Sequence, residues 1–224
     1  MTSARATGGP AMPRRLLLQA CSIVVLAATP DAASAQGWAP DVRVALAAGT
    51  PEERRAHDQL LRIVSTWDLS RWLFTRDVRI DARAIPHSHP VLTVNARYVA
   101  NDTAQLATFV HEQLHWHFVE HRAATEAAIA ELERAFPDAP HGPPEGARDR
   151  ESTYLHLLVC LLEYDALRAI LDEDVARRTL ARWRHYPWVY RQVLDRADAI
   201  RPVLERHGLA APDARQARPA PSRR

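Results

Sequence analysis

The chain of 224 residues contains no lysine, and all 29 of its basic residues are arginine. Schiff-base and lysine general-base chemistry are thereby excluded, since both need an amine that can lose its proton. Cysteine is nearly as scarce, with two residues, Cys21 and Cys160. Cys21 falls in an amino-terminal segment expected to be removed, which leaves Cys160 alone and no intramolecular disulfide to form. Long apolar runs are missing as well. The uncharged stretch 16–28 has 13 residues, too few for a membrane span. Nor is there a clustered basic face, so a nucleic-acid partner is not expected. The formal net charge of +2 vanishes if residues 1–35 are removed, because they carry three arginines and one aspartate.

What is present divides the chain into three parts. Residues 1–35 read as a secretory signal, with Arg14 and Arg15 before the uncharged stretch and Ala33-Ser34-Ala35 as the cleavage site. Arg14-Arg15 can also be read as a twin-arginine signal, and Leu18-Gln19-Ala20-Cys21 as a lipoprotein site, but cleavage after Ala35 fits better. A secreted or periplasmic location is expected. Residues 36–208, within a chain 47% hydrophobic and 25% charged, have the proportions of a single globular domain. Residues 209–224 are rich in proline and arginine and are expected to form a disordered tail.

The domain is organised around 109–121, FVHEQLHWHFVEH. Asp102 is expected to cap the helix here, with Gln105 as its capping-box partner, and Leu106, Val110, Leu114 and Phe118 form one apolar stripe. His111, Glu112 and His115 make the pattern H-E-x-x-H. Residues four apart on a helix lie about 40° apart in projection, so the two imidazoles share a face and a metal can sit between them. Glu112 is then placed to take a proton from a metal-bound water.

Other segments carry clearer structural than chemical signals. Thr50 and Pro51 open an amphipathic helix to about Thr66, after an alanine-rich arm at 36–50. Residues 77–81 and the run Val91-Leu92-Thr93-Val94-Asn95 have strand character, with Pro86 and Pro90 between them. The helix of 109–121 is expected to break near 123–125, and 137–148 is a loop. Residues 151–171 form a second, mostly apolar helix bearing His156, Cys160 and Glu163 at i, i+4 and i+7 on one face. An imidazole and a carboxylate in such surroundings need a partner, and a metal would supply one. A charged helix from 172 to 184 and a last amphipathic helix from 188 to 207 follow.

The region from 91 to 167 resembles the zincin metallopeptidases. His121 extends the motif to H-E-x-x-H-x-x-F-x-x-H, near the metzincin pattern, but Phe118 stands where that family has the glycine that turns the chain. The helix should continue and carry His121 out of reach. The resemblance is therefore to the gluzincins, whose third ligand is a glutamate on a later helix. It implies an α+β, predominantly helical fold with a small antiparallel sheet beside the metal helix, and 91–95 as the edge strand that pairs with extended substrate; the same strand could simply cover the helix. It implies zinc held by His111, His115 and Glu163, with His156 as the alternative third ligand. With Glu163 as ligand, His156 would donate a hydrogen bond to the developing oxyanion, and Glu112 would act as general base. Cys160 is expected to be a small buried hydrophobe, and His87 and His89 to lie in solvent. The activity implied is hydrolysis of a peptide or protein substrate. The alternative is a catalytically inactive metal-binding or interaction domain on a peptidase-like fold.

Overall fold

Two helices dictate the architecture, because they carry the longest apolar faces in the sequence and must bury them against one another. In the computed structural model, which describes residues 41–210, 212 and 213, these are α2 (Asp102–Glu120) and α4 (Arg150–Ile170). Around them stand α1 (Pro51–Thr66), α3 (Arg122–Ala135), α5 (Glu173–Leu180), α6 (Pro187–Asp195) and α7 (Ala197–Arg206). Three short strands, β1 (Arg43–Leu46), β2 (Asp77–Ile80) and β3 (Leu92–Val94), form one sheet in the order β1-β2-β3. The fold is α+β and mostly helical, as expected. The described residues include no helix long and apolar enough to cross a membrane. The signal-sequence reading of 1–35 lies outside the described residues, as does most of the expected tail.

The sheet corrects the expectation of antiparallel pairing. β2 pairs in parallel with both β1 and β3, with Val78 opposite Val44 and Leu92. Helix α1 makes the crossover from β1 to β2. From β2 to β3 the return is made by the loop 81–91, whose turn residues mimic a hairpin in the sequence. It runs back along the free side of β3, where His87 and Thr93 exchange backbone hydrogen bonds of 3.0 and 2.7 Å. The edge expected to receive substrate is thus already paired at Thr93. β1 replaces the expected loose arm: Val44 and Leu46 pack on the core, and Arg43 makes a two-pronged contact of 2.7 and 2.9 Å with Asp77 on β2.

The helix ends follow their capping chemistry, with some shifts. Thr50 caps α1 and Glu53 completes the capping box. Asn101, rather than Asp102, caps α2 by accepting from the Ala104 amide at 3.1 Å. This frees the Asp102 carboxylate to accept from Gln59 at 2.9 Å and the Gln105 amide to reach the Asn95 carbonyl at 3.4 Å. The break after α2 comes at His121, slightly before the expected 123–125. The expected helix 188–207 is two helices, broken at Arg196, whose guanidinium lies over the Phe136 ring. The tail begins later than expected. Gly208, with φ of 69°, ends α7 and lets the Leu209 amide reach the Leu204 carbonyl at 2.8 Å. Leu209 is buried, its carbonyl accepts from His117, and Arg71 donates to the Pro212 carbonyl at 3.1 Å.

One carboxylate ties the sheet to α1. Glu53 Oε2 accepts from the amides of Ala48, Gly49 and Thr50 at 2.9, 2.7 and 3.3 Å, and Oε1 accepts from Ala82 at 3.3 Å. The turn depends on Gly49, whose φ is 65°. These backbone donors, Ala48 first, hold the Glu53 carboxyl below its ordinary 4.5. A depressed carboxylate contributes stability that is fully present above 4.5 and is lost as the pH falls through the lower folded value. Glu53→Gln should therefore lower Tm at pH 7, and the gap to the unsubstituted protein should close as melts are repeated toward pH 3. A gap independent of pH would contradict this origin.

Candidate metal centre

On α2, His111 and His115 are separated by one turn and their Nε2 atoms are 3.3 Å apart. Two nitrogens bound tetrahedrally to one zinc at 2.0–2.1 Å would be about 3.3–3.4 Å apart. On α4, His156 faces the pair, its ring centroid 5.5 Å from that of His111 and 5.2 Å from that of His115. Its Nδ1–H donates to the Ser152 carbonyl one turn earlier, at 2.6 Å, which fixes the tautomer and leaves Nε2 as the available donor atom. The donor atoms of His111, His115 and His156 all lie within 4.8 Å of one another.

Glu163 occupies a different position from the one expected. Its Oε2 accepts from His111 Nδ1 at 2.9 Å, on the opposite side of the ring from His115, and from the Tyr190 hydroxyl of α6 at 2.9 Å. A carboxylate there fixes the orientation of a ligating imidazole and raises the basicity of its other nitrogen. His111, Cys160 and Glu163 also bring donor atoms within 4.8 Å. That set lies on the Nδ1 side of the same ring, and all three of its residues are buried. The role expected of His156 changes accordingly. With one nitrogen held by Ser152 and the other facing the α2 histidines, it has no N–H to offer an oxyanion.

The remaining expectations sort readily. Cys160 is buried, as a small hydrophobe in the core, and burial pushes its thiol up. His121 is exposed and donates to the His117 carbonyl at 2.8 Å, away from the cluster. Phe118 is buried and lets α2 run on to Glu120. His87 is exposed, as expected, but His89 is half-buried and stacked on Trp116, with ring centroids 4.1 Å apart. Its Nε2 has no hydrogen-bond partner among the described residues. The sequence signal for this placement was the aromatic Trp116 beside His115, on the side of α2 that meets the 81–91 loop.

Protonation follows the geometry. Burial favours neutral His111, but the Glu163 carboxylate and Cys160 outweigh it and hold the ring well above the ordinary histidine range. Burial, then the charge on His111, pushes His156 down to about 3 and takes His115 well below its ordinary value. Both are neutral imidazoles near pH 7, the form that binds metals, whereas His111 beside Glu163 is held protonated and would give up its Nε2 proton to a bound metal. Burial also pushes Glu112 up to about 7, against the pull of His111 and His87. A carboxylate poised there can accept and return a proton near neutrality.

A cleft of about 140 Å³ opens beside these groups, lined by Asn95, His111, Glu112, Glu163, Tyr186 and Tyr190 among others. Tyr186 is the only non-glycine residue with positive φ among those described, at 52°. Its ring centroid lies 4.3 Å from that of His156. No family model, curated protein or solved structure matches the chain.

The shared acceptor predicts a ranking of stabilities. Glu163→Ala strands two buried donors and should cost about 3–5 kcal/mol. Tyr190→Phe removes one hydrogen bond to the same carboxylate and should cost about 1.5–3 kcal/mol. Urea unfolding of the two variants checks the order, which equal losses would contradict.

Proposed function

We propose that this centre is the active site of a zinc-dependent hydrolase, a peptidase acting on amide bonds. The observation that carries the reading is the 3.3 Å separation of the His111 and His115 Nε2 atoms, with His156 facing both. In this reading the three ligands are His111, His115 and His156, and Glu163 orients His111. Three protein ligands and one open position are the usual endowment of a catalytic zinc. Zinc, when bound, lowers the pKa of a coordinated water and polarises a carbonyl oxygen.

The chain's own groups supply the rest. Glu112, next to the first ligand and lining the cleft, takes a proton from the attacking water and returns it to the leaving amine. The Tyr186 hydroxyl takes over the part first expected of His156, donating to the oxyanion as it develops; its place in the cleft wall and its contact with His156 support this. A structural site would have no use for a carboxylate with a pKa raised to about 7 at its open side. Residues 1–35, with an uncharged stretch between Arg15 and Ala33-Ser34-Ala35, support action in the periplasm or outside the cell.

Two sets of variants test the reading. Glu112→Gln should retain stoichiometric zinc by elemental analysis and lose at least about 100-fold in hydrolysis of a peptide library. Full activity in that variant, or activity indifferent to chelation, would remove the proposed mechanism. His156→Ala should lose zinc outright, whereas Glu163→Ala should keep it with about 10- to 100-fold weaker affinity. The reverse order of metal loss would restore Glu163 as the third ligand.

A further inference from the structure

A second hollow, of about 530 Å³, adjoins the cleft and shares Arg97, Tyr98, Trp183 and His185 with it. Its wall carries three arginines, Arg97, Arg182 and Arg184, and no acidic residue. Each of the three is exposed, and none forms an ion pair with a described residue. Many other arginines of the molecule are paired, as Arg43 is to Asp77 and Arg201 to Asp165. The hollow is therefore a place where positive charge converges without internal compensation.

Aromatic rings connect this place to the histidine cluster. The Tyr98 and Trp183 centroids are 5.1 Å apart, Trp183 and His185 5.0 Å, His185 and Tyr186 5.0 Å, and Tyr186 and His156 4.3 Å. The short segment 182–186 supplies most of this wall, between α5 and α6. Within it, the indole Nε1–H of Trp183 is buried and has no acceptor among the described residues. An indole N–H can only donate, and a buried donor without a partner is a rare and costly feature. The three unpaired arginines along the hollow suit an anionic acceptor, and planar guanidinium matches carboxylate in particular.

We infer that the hollow lined by Arg97, Arg182, Trp183 and Arg184 binds a carboxylate of the substrate while the neighbouring peptide bond lies against the histidine cluster. This rests on the hydrolase reading of the cleft. The carboxylate is either an acidic side chain within the substrate or its free carboxy terminus. The rings from Tyr98 to Tyr186 form the wall along which the intervening residue lies.

The test uses zinc-loaded protein and paired peptide pools that differ in one group: glutamate against glutamine, and free carboxy terminus against carboxamide. The unsubstituted protein should favour the carboxylate member of one pair by about 10- to 100-fold in kcat/KM, and the pair that responds identifies the source. In Arg182→Gln/Arg184→Gln and in Arg97→Gln that ratio should fall toward unity. A ratio near unity in the unsubstituted protein, or one that survives all three substitutions, overturns the inference. Equilibrium binding of the same pools to Glu112→Gln protein, followed by tryptophan fluorescence, separates the two levels of the reading. Arginine-dependent preference in binding without turnover by the unsubstituted protein leaves the carboxylate site standing and removes the hydrolase. Turnover without preference in either measurement does the opposite.

Discussion

The hydrogen bond from His111 Nδ1 to Glu163 is the contact on which the centre depends. It joins α2 to α4 at a point where both side chains are buried, and the Tyr190 hydroxyl brings in α6 on the same oxygen. A carboxylate in such surroundings is unfavourable unless its partners are in place. Moving α4 by one turn against α2 would part Glu163 from His111 Nδ1, so the pairing selects one register of the two helices. In that register the other nitrogen of His111 points to His115, and His156, two turns back along α4, comes opposite both.

The rest of the fold holds α2 in place from its outer side. Gln113 exchanges two hydrogen bonds of 2.9 and 2.8 Å with the backbone of Thr75, just ahead of β2. Trp116 donates to the Ser88 carbonyl at 3.1 Å and carries the ring of His89. The 81–91 loop is thus fastened both to the helix and to β3. Each of these polar contacts is specific in geometry, and together they hold α2 against the loop and the residues ahead of β2.

Much of this was legible in the sequence, and the exceptions have physical causes. The helix carrying H-E-x-x-H, the Thr50 cap and the burial of 151–171 are local matters, settled by periodicity and capping residues within a turn or two. The direction of the strands is not local. Eleven residues with two prolines can close a hairpin or return a chain along a sheet edge, and only the parallel register of β2 against β3 distinguishes them. The placement of His156 and Glu163 about His111 is of the same kind. Both lie on one face of α4, and which of them meets Nε2 and which meets Nδ1 depends on the axial offset between two helices. Leu209 was misread because the segment it opens is rich in proline and arginine; Gly208 was the sign that the chain turns back before leaving the domain. The arginine-lined hollow left no trace, since Arg97 and Arg184 are far apart in sequence.

Tyr186 holds a backbone conformation that side chains with a Cβ rarely adopt, immediately before Pro187, which further disfavours a helical region for it. Such a conformation carries a penalty of about 1–3 kcal/mol. Glycine there would relieve the backbone and remove the ring that lies on His156. Backbone conformation and side-chain packing therefore make opposite demands on this one position, since the contact with His156 needs the ring that the backbone would rather lose.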